Sequence, residues 1–362
     1  MRSRVVLLGI DGCPLQLISP SVTPCLWGFR PTGALTLEGR APLPSSTYPC
    51  FGALLTGCAP DRHTVRTTAS HPGAVPGWAG GATVAVPTLL DACRAGGLGA
   101  AAVLGDHLLL AVLRAETAYR HWPPGGRVPS GTPRDAHDYP TNEAVRPHLL
   151  EAAVDLRCAL LFGQLNEGDT LGHDLGPDDP ATRACYARAD AIVGEVLEVL
   201  RPRWTDTVVI AVSDHGMEAR TERPPIDLLS MPKISALVVD AVGDGGAAVV
   251  RLRDGVTPQD AGRALLEVPG IAGWSGGGDG TIVAEAHGGW IFCAPRLPAR
   301  GYHGGPATAR TFAAVTGGHP AVAAIARAVA GRSPHLVDWA PTIARVLGVD
   351  LSAVDGRSLL DA

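Results

Sequence analysis

Three mostly apolar runs, 5–10, 159–165 and 207–212, the first and last rich in β-branched residues, each give way within a few residues to an aspartate. This pattern constrains the fold of the 362-residue chain more than any other. Short runs without polar alternation read as strands buried on both faces, which are found in parallel sheets covered by helices. Helix-like stretches lie between them: 87–95 with its proline in the first turn, 143–154, and 181–200, where Ala189, Ile192, Val193, Val196 and Leu200 share a face. With 100–104 as a further strand, the alternation predicts an α/β protein with a doubly wound, mostly parallel sheet. Ligands of such sheets bind beyond the carboxyl ends of the strands. Asp11, Asp169 and Asp214 all fall there.

The texture changes after residue 232. Residues 234–239, Ala247–Leu252 and 281–284 read as strands and Pro258–Leu266 as a helix, a small inserted α+β cap of β-α-β type. The division predicted is therefore a core over 1–232, the cap over 233–292, and a closing part of the core over 293–362. That closing part contains a glycine-rich loop at 300–305, a strand at 311–315 and a helix around 336–347.

Composition narrows the class. With 46% apolar and 18% charged residues the chain can bury a large core and lies outside the disordered regime. A net charge of −5 speaks against a nucleic-acid polymer as partner. The nearest approach to a membrane helix, 96–113, is broken by Asp106 and His107. The eight cysteines show no C-x-x-C pair, and the first apolar run is too short for a signal peptide. The expectation is a cytoplasmic protein with reduced thiols and no membrane partner.

Five segments carry residues suited to chemistry. Gly9-Ile10-Asp11-Gly12 places an acid on the turn leaving the first strand, where it could equally cap that turn. Ser45-Ser46-Thr47-Tyr48-Pro49 enters a short helix, where a hydroxyl is either a cap or a nucleophile beside free N–H groups. Asp169 and His173 stand four residues apart, so on a helix they share a face and can share a metal. Asp214-His215 is an acid and imidazole pair at a strand end. His303 lies between Tyr302 and Gly304, in a stretch where glycines permit close backbone approach.

Taken together and in this order, the segments resemble the alkaline phosphatase superfamily, in particular its type I phosphodiesterase and nucleotide pyrophosphatase branch with the phosphonoacetate hydrolase relatives. The likeness rests on G-I-D-G at Asp11, S-T-Y-P and L-L-T-G-C-A-P-D-R-H between Ser46 and His63, D-T-L-G-H-D-L-G-P from Asp169, and S-D-H-G-M at Asp214. The tail, from Tyr302-His303-Gly304 to Val337-Asp338-Trp339-Ala340-Pro341, is similar as well.

The resemblance implies one divalent ion held by Asp169, His173 and His303 and a second held by Asp11, Asp214 and His215, with Thr47 between them as nucleophile. His319 and His287 are the alternatives to His303, since glycines lie beside all three. Zinc suits such carboxylate and imidazole donors, with manganese as the alternative. Two ions about 3.5–4 Å apart stabilise the attacking and leaving oxygens of an in-line displacement. Coordination is also what makes a threonine hydroxyl nucleophilic at neutral pH. Tyr48 is expected to stack on a leaving group or base, or else to pack beneath the loop. The family's H-G-x-x-x-N reads His63-Thr64-Val65-Arg66-Thr67-Thr68, so Thr68 stands where an asparagine would contact a phosphoryl oxygen.

The implied activity is hydrolysis of phosphodiester or pyrophosphate bonds in a small phosphorylated substrate, such as a nucleotide, through a phosphothreonine intermediate. The alternatives are a phosphonoacetate-type C–P hydrolase, a phosphomonoesterase, and a non-catalytic metal-binding module. A formylglycine sulfatase is disfavoured because Thr47, not cysteine, fills the nucleophile position, with Cys50 three residues on.

Overall fold

The structure is a computed structural model and describes residues 3–68, 83–276, 278–292, 299–351 and 353–361. Strand β1 (Arg4–Ile10) is followed by α1 (Pro24–Trp27), β2 (Ala34–Arg40), α2 (Thr47–Thr56) and the single turn α3 (Pro60–His63). Then come α4 (Leu89–Ala95), β3 (Gly99–Leu104), α5 (Leu109–Val112), β4 (Arg120–Trp122), α6 (Asn142–Val154), β5 (Cys158–Leu165), α7 (Glu167–Leu175), α8 (Pro180–Leu200) and β6 (Thr207–Val212). The rest comprises β7 (Glu218–Ala219), α9 (Pro232–Ser235), β8 (Val238–Asp244), β9 (Ala247–Leu252), α10 (Pro258–Leu266), β10 (Ile271–Gly276), β11 (Thr281–Ala286), β12 (Gly301–Tyr302), β13 (Arg310–Gly317), α11 (Ala321–Gly331) and α12 (Trp339–Leu347).

One sheet has seven strands in the order β2-β13-β6-β1-β5-β3-β4. From β6 to β4 all strands run parallel, while β13 is antiparallel to both of its neighbours. Alternate side chains of a strand point to opposite faces. Val5, Leu7, Phe162 and Ile210 therefore join one core with Phe51, Trp339 and Ile343, while Val6, Leu8, Leu161 and Val209 join the other with Leu149, Val193 and Val196. Helices cover both faces, which is the doubly wound arrangement the apolar runs predict.

Local signals explain most boundaries. Asp179 accepts from the Ala181 N–H at 2.8 Å ahead of Pro180, which starts α8. Pro87, expected in the first turn of its helix, lies outside it. Thr88 is the cap, in a reciprocal pair with Asp91 that satisfies two N–H groups and sets the start at Leu89. Strand β2, not anticipated, is a half-exposed sheet edge.

The inserted unit is a four-stranded antiparallel sheet, β10-β11-β9-β8, with α10 against it. The α+β character and the β-α-β connection are as expected: β9, α10 and β10 follow one another, and β9 and β10 run parallel because each is antiparallel to β11 between them, whereas β10 itself was not anticipated. The strand expected over 234–239 is divided: Pro232 opens the turn α9, and the strand starts at Val238. The core of the unit reaches back to Ile226 and Leu228, upstream of residue 233. Its far boundary adjoins residues 293–298, outside the described residues. The wall loop expected at 68–81 also lies outside them, apart from Thr68.

Candidate active site

Adjacent parallel strands end on the same side, so the order β6-β1-β5 lines up three carboxyl ends. Asp11 is the first residue beyond β1. Asp214 and His215 follow β6, and Asp169 and His173 lie one turn apart on α7, which begins two residues after β5. Asp11 N donates to Leu165 O at 3.1 Å and continues the β1–β5 pairing into the site. Gly12 has φ +60°, and a Cβ there would meet Asp169 Oδ1 at 2.5 Å, so only glycine lets this turn pass beside the α7 acid. His303 follows β12, and Thr47 is the first residue of α2.

The ring tautomers are set from outside the cluster. His215 Nδ1 lies 2.9 Å from Gly216 O and His173 Nδ1 3.0 Å from Gly301 O, so in the neutral rings each Nδ1–H is a donor and each Nε2 carries a lone pair. His215 Nε2 stands 3.5 Å from Asp11 Oδ1, 3.3 Å from Asp214 Oδ2 and 3.2 Å from Thr47 Oγ1. His173 Nε2 stands 3.4 Å from Asp169 Oδ2, and His303 Nε2 stands 3.9 Å from Asp169 Oδ1. Lone pairs turned toward carboxylates repel unless a cation lies between them.

The buried groups make the same point. Asp11 Oδ1, Asp169 Oδ1 and Asp214 Oδ2 are enclosed without hydrogen-bond partners. Such atoms carry a large desolvation cost unless they bind a cation. Burial first, then Asp214 and Asp169, pushes the Asp11 carboxyl far above its usual range. Burial pushes Asp214 up as well, against the pull of His215. Burial and the neighbouring His215 and His173 hold His303 neutral, well below the usual imidazole range. Neutral imidazoles and crowded acids are a donor set that fits divalent cations.

Two groups of side chains bring their ligand atoms within 4.8 Å of one another: Asp169 with His173 and His303, and Asp11 with Asp169 and His215. The first is the triad expected from the sequence. In the second Asp169 stands where Asp214 was expected, so one carboxylate serves both groups. Asp214 adjoins this second group, its Oδ2 3.3 Å from His215 Nε2 and its Oδ1 accepting from Gly12 N at 3.1 Å.

Other expectations fare differently. Tyr48 is only 4% exposed, and its phenol is hydrogen-bonded to Asp106 and Tyr139. Its ring is a buried member of the core cluster that also holds Phe51 and Leu54. Thr68 accepts from Tyr48 N at 3.0 Å and so caps α2. His319 is engaged by Ser3 and Ala321, and His287 is exposed on the inserted unit, so neither joins the cluster. Arg62 is held by Asp355, and Arg66 by Asp61 and Asp279. Sequence reasoning missed Gln164, whose Nε2 donates to Asp11 Oδ2 at 2.6 Å and Asn166 Oδ1 at 3.0 Å. A lone amide in the wholly buried strand β5 was the available signal.

A doubly wound sheet with aspartates and histidines gathered at its carboxyl ends around a threonine that opens a helix defines an alkaline phosphatase-like protein. Residues 5–271 match the type I phosphodiesterase / nucleotide pyrophosphatase family, and the chain belongs to that family. The match spans Asp11, Thr47, Asp169, His173, Asp214 and His215, and ends before His303. Murine ectonucleotide pyrophosphatase / phosphodiesterase 5, as an inactive threonine-to-alanine variant in complex with AMP, superposes with a TM-score of 0.70 at 17% identity, covering 99% of each chain. The human protein of the same name gives 0.69 at 17% identity, again over 99% of each chain. At such identity the likeness is one of fold. An uncharacterised pyrophosphatase/phosphodiesterase of Schizosaccharomyces pombe is 35% identical over 83 residues, 22% of this chain and 17% of the relative's length.

Proposed function

We propose that the protein hydrolyses phosphodiester or pyrophosphate bonds of small, nucleotide-like substrates through a phosphothreonine formed on Thr47, with two divalent cations as cofactors. The observation that carries this reading is the Thr47 hydroxyl, buried at the start of α2 and 3.2 Å from the lone-pair nitrogen of His215. Asp169, His173 and His303 would hold one cation, and Asp11, His215 and Asp214 the other, with Asp169 close to both. Bound there, the cations supply charge to the reacting oxygens and lower the pKa of the threonine hydroxyl. Zinc fits the carboxylate and imidazole donors, with manganese as the alternative.

The chain's own residues then do the positioning. Gln164 orients Asp11, Gly301 O orients His173, and Gly216 O orients His215. Thr47 Oγ gives up its proton to solvent and forms the bond to phosphorus while the bond to the leaving oxygen breaks, the leaving group taking the electron pair and then a proton from solvent. Water then cleaves the threonine ester and restores the hydroxyl. The AMP complex of the murine relative supports a nucleotide-like substrate.

A cytoplasmic setting is part of the proposal, supported by the seven described cysteines, all of which are free. Among the described residues no helix is long and apolar enough to cross a membrane. The test of the function is a panel of aryl phosphodiester, dinucleotide, aryl monoester and phosphonoacetate with added zinc or manganese. Turnover of the diester or dinucleotide ahead of the others is expected, and turnover of phosphonoacetate alone would replace this reading with C–P hydrolysis.

A further inference from the structure

Asp244 ends β8, at the tip of the hairpin that joins it to β9 in the inserted sheet. Its Oδ2 accepts from Ser46 Oγ at 2.6 Å and from Thr68 N at 2.8 Å. Thr68 Oγ1 in turn accepts from Tyr48 N at 3.0 Å. Both chain neighbours of Thr47 are thus tied to one carboxylate, Ser46 directly and Tyr48 through Thr68.

The hairpin is held in register by the loop that carries His303. Gly246 N donates to His303 O at 2.8 Å, and Gly304 exchanges backbone hydrogen bonds of 3.0 and 2.9 Å with Ser45. Gly304 has φ +104°, and a Cβ there would lie 1.8 Å from Asp244 O, so a side chain at this position would push the hairpin off the nucleophile loop.

We propose that Asp244 is a specificity-determining residue that makes the site favour singly charged phosphoryl groups, as in diesters and internal pyrophosphate positions, over dianionic monoesters. The inference rests on the phosphoryl-transfer reading above and adds to it the residue that selects the substrate. A helix N-terminus attracts anions through free N–H groups and nearby hydroxyls. At α2 the Ser46 hydroxyl and the Thr68 N–H already serve Asp244, the Tyr48 N–H serves Thr68, and Pro49 has no N–H. The acceptor itself is a carboxylate only 6% exposed, where solvent and salt screen its charge weakly. The two guanidiniums that follow α2 in the chain, Arg62 and Arg66, are engaged by other acids. Among the described donors at the start of α2 this leaves the neutral Thr47 N–H, so a second negative charge on the phosphoryl group meets repulsion with no cationic side chain of α2 to offset it.

The test uses zinc-loaded protein. Wild type is measured on an aryl phosphodiester and the matching monoester, then Asp244→Asn, which keeps the shape and an oxygen acceptor but removes the charge. The ratio of kcat/KM for diester over monoester is expected to fall about tenfold or more. Asp244→Ser, neutral and shorter, is expected to move it in the same direction. In parallel, calorimetric titration of inorganic phosphate, above its second ionisation, into Thr47→Ala and into Thr47→Ala/Asp244→Asn is expected to show about tenfold tighter binding in the double variant. A ratio and a phosphate affinity that stay within about twofold in folded neutral variants would overturn the proposal, and so would a change seen with serine but not asparagine, since geometry rather than charge would then be responsible. If wild type turned over no diester while phosphate still bound more tightly without the Asp244 charge, the phosphodiesterase reading would fail and the role of Asp244 would stand.

Discussion

His215 Nε2 lies 3.2 Å from Thr47 Oγ1, joining the end of β6 to the first residue of α2 across 168 positions of sequence. The contact places a hydroxyl against the same nitrogen that faces Asp11 and Asp214. A threonine that served only as a helix cap would turn its oxygen to the backbone N–H groups of its own helix instead.

Thr47→Ala is expected to retain fold and bound metal while turnover of an aryl phosphodiester falls by about three orders of magnitude or more, because no oxygen remains to form the ester. Thr47→Ser should keep part of the rate. Metal analysis alongside initial rates checks this, and undiminished activity in the alanine variant would assign the attack to water.

Two divalent ions per chain are expected at saturation. His173→Ala and Asp214→Ala should each lower occupancy in elemental analysis, and a chelator should lower the thermal midpoint. Gln164→Leu tests the orienting amide: Asp11 Oδ2 loses its 2.6 Å donor, and metal affinity should drop by about 10–100-fold. A single ion at saturation would contradict the two-cation site.

Gly12→Ala forces a side chain into left-handed backbone and against Asp169 Oδ1. Denaturant unfolding should show a loss of about 1–3 kcal/mol, accompanied by weaker metal binding. An alanine variant as stable as wild type would mean that the turn can move without disturbing α7.

His63 reports on acid stability away from the catalytic chemistry. Fully buried, its ring accepts from Val65 N at Nδ1 and donates to Pro49 O from Nε2, an arrangement open only to the neutral form. Burial depresses its pKa to about 4, below the unfolded value of 6.5. The unfolded chain therefore takes up a proton that the fold refuses. The stability this site contributes is complete above pH 6.5 and is lost as pH falls toward about 4, by roughly 3 kcal/mol in all. Unfolding midpoints measured across this window in wild type and His63→Gln should differ in slope, the variant being less stable at neutral pH but less sensitive to acid. Equal slopes would assign the acid sensitivity to other groups.

Much of this architecture is written locally. The short apolar runs of β1, β5 and β6 read as doubly covered strands, and parallel strands place whatever follows them on one edge, so Asp11, Asp169 and Asp214 were legible as neighbours. The four-residue spacing of Asp169 and His173 needed only a helix to align them, and Thr47 needed only a helix to begin there. Packing settled the remainder. Glycines lie beside His303, His319 and His287 alike, and the pairing of Gly304 with Ser45 is what brings the first of these into the cluster. Tyr48 looked available for stacking, but Asp106 and Tyr139 draw its phenol inward. Asp169 came to face both ligand groups because Gly12 lets the β1 turn lie against α7. Asp244 had no signal at all: its contact with Ser46 spans 198 residues and arises from one hairpin docking on one loop. Periodicity, capping and turn chemistry act over a few residues and are readable along the chain, whereas the meeting of side chains from separate elements depends on how those elements pack.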